Sequence, residues 1–142
     1  MTIRAILAGR NGPVHTAEGS ESVTAVVCRL TEQRIGAVPV MDGERVIGIF
    51  SERDVIHCLN AHGGDALGLL VRDVMTAPAI TIDADTPILG ALSLMTRRRI
   101  RHLPVVAGDA LVGFISIGDL VKYRIESIEA EAAAMRDYIA GS

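Results

Sequence analysis

The apolar positions of this chain change period several times, and each change marks an element. Val23, Val26, Val27 and Leu30 recur at helical spacing, as do Ile88, Ala91, Leu92 and Met95, so two amphipathic helices are expected. Ser20 or Ser22 caps the first; Thr86 is expected to cap the second, with Pro87 at its first helical position. Each helix is followed by two apolar runs around a glycine turn. AVPVMDGERVIGIF turns at Asp42 and Gly43, and LPVVAGDALVGFI turns at Gly108 and Asp109, which is how β-hairpins are written. Short extended pieces, PVHT ending at Thr16 and PAIT ending at Thr81, precede the helices.

These elements form a repeat. GIFSERD, from Gly48 to Asp54, recurs as GFISIGD from Gly113 to Asp119, a displacement of 113 − 48 = 65 residues. With that shift, Thr16 to Leu59 aligns with Thr81 to Arg124 without a gap, so the order β-α-β-β-α occurs twice. Two such units bury their apolar faces by packing on each other. The predicted division is a first repeat over 1–62, a linker over 63–70, a second repeat over 71–124 and a helical extension over 125–142. In that extension Val121, Ile125, Ile128, Ala132, Met135 and Ile139 are spaced 4, 3, 4, 3, 4, a heptad-like seam. It either docks on a partner subunit, or across its own, or lies solvated on its own domain.

Composition narrows the chemistry. The chain is 49% hydrophobic but 3% aromatic, with no Trp, so the core is aliphatic and base stacking on aromatic rings has little to work with. A net charge of −3 argues against general affinity for nucleic acid or anionic membranes. With no signal-like or membrane-spanning run, a cytoplasmic location is expected. Cys28 and Cys58 are in no CxxC arrangement and read as reduced core thiols, and the four scattered His residues have no zinc spacing.

The IGAVPV and IRHLPV strands, the VMTAPAIT lead-in and the paired Gly-h-h-Ser-x-x-Asp junctions together resemble a tandem pair of CBS domains, a Bateman module, over roughly Ile3 to Arg124. The resemblance implies an α/β (α+β) fold of two CBS repeats packed by pseudo-twofold symmetry, two clefts between the repeats, and association as a homodimer. In that family the clefts commonly bind AMP, ADP, ATP, S-adenosylmethionine or NAD(H), with regulation rather than catalysis as the consequence.

Carried onto this sequence, the first site comprises Thr16, Ala37, Val38, Pro39, Ser51, Arg53 and Asp54. The second comprises Thr81, Arg99, Arg101, His102, Leu103, Pro104, Ser116 and Asp119. A carboxylate accepts from both hydroxyls of a ribose, which suits Asp54 and Asp119. Phosphate suits the N–H groups of a helix N-terminus together with the Ser51 and Ser116 hydroxyls. Thr16 and Thr81 resemble the family's further hydroxyl donors. Main-chain groups at Ala37 and Val38, and at His102 and Leu103, resemble its adenine-reading strand, and Pro39 and Pro104, having no N–H, interrupt the ladder there. Ser-x-x-Asp is equally a capping-box variant that needs no ligand.

The sites are expected to differ. Arg53 at the first junction is replaced by Gly118 at the second, and positive charge there is expected from Arg99 and Arg101 instead. Arg97 and Arg98 read equally well as a solvated helix end. The leading expectation is a non-enzymatic nucleotide sensor whose effector protein is another chain; the alternative is a dimerisation module with vestigial clefts. The sequence contains no P-loop, G-x-G-x-x-G, G-x-S-x-G or metal-ligand cluster, so neither catalysis nor a catalytic cofactor is expected.

Overall fold

The structure, a computed structural model, describes residues 1–141; Ser142, the end of the predicted extension, lies outside them. The elements in order are α1 (Ile3–Ala8), β1 (Ala17–Glu18), α2 (Val23–Gln33), β2 (Ala37–Asp42), β3 (Arg45–Ser51) and α3 (Glu52–His62). A 3-10 turn (Gly63–Gly68) leads to α4 (Val71–Val74), α5 (Ile88–Arg98), β4 (His102–Ala107), β5 (Ala110–Ser116) and α6 (Ile117–Gly141). Residues 63–68 of the predicted linker over 63–70 form this 3-10 turn, which rests against α2 and α3.

Both hairpins form where the glycine turns placed them, with Gly43 and Gly108 each at φ 62, a value open to glycine at no steric cost. Both carry a register shift at the same point, between Val40 and Met41 and between Val105 and Val106. The opening strand differs between copies. Ala17 and Glu18 run parallel to β2, whereas in the second copy only Ile82 bridges to Val105. There Asp83 folds back, its Oδ1 accepting from Asp85 N at 2.9 Å, and the strand ends after one residue.

Helix starts follow the sequence with one correction. Ser22 caps α2 by accepting from Ala25 N. At α5 the capping residue is Pro87 rather than Thr86, with no side-chain cap; the Thr86 hydroxyl is turned toward Asp83. The free donor at Ile88 is met by the carbonyl of Met1 at 3.2 Å, so backbone from the far end of the chain does the work of a cap. Cys58 lies in the core, but Cys28 is exposed on the outer side of α2, off the Val23–Val26–Leu30 stripe.

Two aliphatic cores result, and they cross the sequence boundary between the copies. One holds Ala17, Val23, Val26, Leu30, Val38, Val40, Phe50 and Cys58 together with Ala66 and Val71. The other holds Ile82, Ile88, Ala91, Met95, Leu103, Val105, Ile115 and Leu120 together with Ile3 and Ile6 of α1. The lead-in to the second copy thus completes the first core, and the N-terminal helix completes the second. Main-chain bonds fix both lead-ins: Val71 N to Glu21 O and Val23 N to Leu69 O on one side, Ile3 N to Thr86 O and Arg4 N to Ala84 O on the other.

Candidate functional site

Each junction turns from strand to helix over the predicted motif, and in both copies the motif is a capping box. Ser51 N donates to Asp54 Oδ2 at 2.9 Å and Asp54 N donates to Ser51 Oγ. Ser116 N donates to Asp119 Oδ2 at 2.7 Å and Asp119 N donates to Ser116 Oγ at 3.1 Å. The helix-end donors expected to face phosphate are partly engaged as well. Glu52 N is bonded to Gly36 O and Ile117 N to Arg101 O, which leaves fewer main-chain donors for an anion and more of the positive charge to side chains.

The two carboxylates have different third partners. Asp54, 8% exposed, accepts from the Thr76 hydroxyl at 2.8 Å. Asp119 is paired with Arg10, whose Nη2 is 2.5 Å from Oδ2 while Nη1 donates to Phe114 O at 2.7 Å. Burial alone would raise the Asp119 carboxyl, but the Ser116 N–H and the Arg10 guanidinium outweigh it and hold it below the usual aspartate value.

Two cavities lie at the interface of the repeats, where β3 and β5 meet. The larger, about 720 Å³, joins Ser116, Asp119, Gly113 and Phe114 of the second copy to Arg34, Gly36 and Ala37 of the first, with the N-terminal segment around Arg10 and His15 as one wall. The smaller, about 280 Å³, joins Ser51, Arg53, Asp54 and Thr76 to Arg99, Ile100, Arg101 and His102.

The predicted sets are therefore regrouped: each cavity takes the junction of one copy and the pre-strand segment of the other. Arg99 and Arg101 join Asp54, not Asp119, because the pseudo-twofold brings the end of α5 across to the opposite junction, and His102 stands between the two cavities. The expectation that Arg99 and Arg101 supply positive charge to the second junction is thereby corrected, since Arg10 and Arg34 stand there instead. Val38, Pro39, Leu103 and Pro104 are buried in the strands, Thr81 is exposed, and neither they nor Thr16 line these two cavities. The Thr16 carbonyl accepts from Arg29.

Lining residues absent from the predicted set include Arg10, Arg34, Thr76 and His15. Arg34 had a signal, being the repeat partner of Arg99, and both residues adopt φ 54 where their helices end. Among the described residues, only Gly36 and His102 line both cavities. The His102 ring stacks on Phe114, centroids 5.5 Å apart and planes 9° from parallel, and burial lowers its pKa below the ordinary histidine value.

Among the described residues no group of His, Cys, Asp and Glu could hold a metal ion, and no helix is long and apolar enough to cross a membrane.

Comparison with known proteins agrees with this architecture. Residues 7–61 and 71–126 each match the CBS domain family. The mitochondrial CBS domain-containing protein CBSX3 of Arabidopsis thaliana is 34% identical over 126 residues, covering 85% of this chain and 61% of that protein. The chain thus spans less than two thirds of that relative's length. A CBS-domain containing protein of Agrobacterium tumefaciens superposes with a TM-score of 0.82 at 32% identity, over 87% of this chain and 92% of the other. CBSX2, solved in complex with AMP, superposes with a TM-score of 0.70 at 26% identity, over 80% and 88%. With two matched copies and the same fold, this chain belongs to the CBS domain family.

Proposed function

We propose that this protein is a non-enzymatic regulatory module that binds adenosine-containing nucleotides in the two cavities between its repeats, AMP, ADP, ATP or NAD(H) ahead of S-adenosylmethionine. The observation that carries the reading is the make-up of the smaller cavity. Arg53, Arg99 and Arg101 line it with Ser51 and Asp54, placing guanidinium groups for phosphate near a carboxylate suited to ribose hydroxyls. The AMP complex of a relative with the same fold supports the ligand class. In the larger cavity Arg10 and Arg34 take the phosphate role, and its greater volume suits a longer ligand. Occupancy favours one arrangement of the repeats over another, and an effector responds to the difference. The module works as a homodimer.

A second reading has an observation of its own. Both carboxylates already have partners, Thr76 for Asp54 and Arg10 for Asp119, as they would in a dimerisation module whose clefts are vestigial. Calorimetric titration with AMP, ATP and NADH separates the two. Nucleotide binding predicts saturable heat, and a melting temperature raised by roughly 5–10 °C at about 100 times the dissociation constant. Arg101→Ala should weaken AMP more than adenosine. Absence of both heat and thermal shift at millimolar nucleotide would leave the dimerisation module.

A further inference from the structure

The exposed side of α6 carries Ile125, Ile128 and Met135, which are 50%, 48% and 60% exposed. With Ala132 they follow the a and d positions of a heptad, at 125, 128, 132 and 135. The residues beside that seam are charged and also exposed: Arg124 and Glu131 at g, Lys122, Glu129 and Arg136 at e. The ion pairs within the described chain are Arg4–Asp85, Arg10–Asp119 and Arg29–Glu21, so none of these seam charges is spent internally.

The charges choose the occupant, and with the length of the exposed seam they choose its direction. In a parallel pair of copies, a g residue faces the e residue five positions on in its partner. Arg124 then faces Glu129 and Glu131 faces Arg136, each contact occurring twice by symmetry. An antiparallel pair centred on the same seam sets Glu129 against Glu129, Glu131 against Glu131 and Lys122 against Arg136, all repulsive; slid by one heptad it pairs Lys122 with Glu129 and Arg124 with Glu131, but carries Met135 off the exposed seam to Gly118 at the base of the other α6. We infer that α6, from Ile125 onward, is the dimerisation element of this protein and forms a parallel two-stranded coil with a second copy. The pairing does not depend on nucleotide binding in the cavities.

The full chain should sediment as a dimer at micromolar concentration. Arg124→Glu, which sets like charges against Glu129 of the other copy, should raise the dimer dissociation constant about tenfold, and adding Glu129→Arg should restore it. In a Cys28→Ser background, Ile125→Cys should give a disulfide-linked dimer on mild oxidation, since position 125 meets itself only in the parallel arrangement. A monomeric chain, or a dimer indifferent to Arg124→Glu with no cross-link at 125, would overturn the inference. All the substituted positions are exposed, so circular dichroism of each variant should match the parent.

Discussion

A Cβ placed on Gly48 would stand 2.6 Å from Met75 Sδ and 2.7 Å from the carbonyl oxygen of Thr76. The lead-in to the second repeat is laid directly on β3, and glycine is what lets it approach. Gly113 has the corresponding neighbour, Leu7, whose Cδ2 would be 2.5 Å away, but the three nearest atoms all belong to that side chain. The two glycines therefore differ in what a methyl group must displace. Gly48→Ala should cost about 3 kcal/mol in urea unfolding, because a hydrogen-bonded backbone has to move. Gly113→Ala should cost about 1 kcal/mol, since the half-buried Leu7 can rotate. Equal costs would show that the Thr76 carbonyl gives way as easily as a side chain.

Arg34 and Arg99 both sit at φ 54 at the ends of α2 and α5, where glycine is the residue of lowest cost. Arg34→Gly and Arg99→Gly should each raise stability by about 0.5–1 kcal/mol. Each should also weaken phosphate-bearing ligands at the cavity it lines. Chemical denaturation paired with calorimetry reads both effects, and a loss of stability would mean that the guanidinium contributes more to the fold than the backbone relief returns.

His102 is held neutral by burial, its folded pKa lying below its unfolded one. The unfolded chain consequently binds the extra proton first as pH falls, so the contribution is complete above about pH 6.5 and is lost on acidification toward the folded pKa. Melting temperature should therefore decline from pH 7 to pH 5, and His102→Gln should flatten that decline. An unchanged slope would assign it to other groups.

Asp119 behaves in the same direction at lower pH. Its folded pKa is depressed, so its contribution is present above the ordinary aspartate value and lost as pH falls through the folded one. The Arg10 and Asp119 side chains are 38% and 35% exposed, so solvent screening keeps the pair's worth below about 1 kcal/mol. Arg10→Ala should reduce the acid sensitivity of unfolding between pH 5 and 3, and 1 M salt should do the same to the parent.

Most of the fold was legible because its signals are local and duplicated. The stripes at Val23–Leu30 and Ile88–Met95, the glycine turns and the Ser-x-x-Asp junctions each specify an element, and the shift of 65 residues ties them in pairs. The site was less legible because its partners are set by the pseudo-twofold, which no spacing in the chain encodes. Arg99 is close in sequence to the Asp119 copy but close in space to Asp54. The lead-ins escaped for a related reason. Leu7 and Met75 play the same part against Gly113 and Gly48, yet they are 75 − 7 = 68 residues apart. The three extra residues lie in the segment after α1, which carries Arg10, so the constant shift passed over the residue that pairs with Asp119.

The exchange of lead-ins between the two cores bears on the order in which the protein is made. The first core is assembled from one continuous stretch, Ala17 to Met75, and can close as soon as that stretch leaves the ribosome. The second needs Ile3 and Ile6 together with residues up to Leu120. α1, made before every other part of the second core, is therefore among the last of them to find its place, and until it does, its apolar face and the gap it will fill are both open to chaperones and to neighbouring chains.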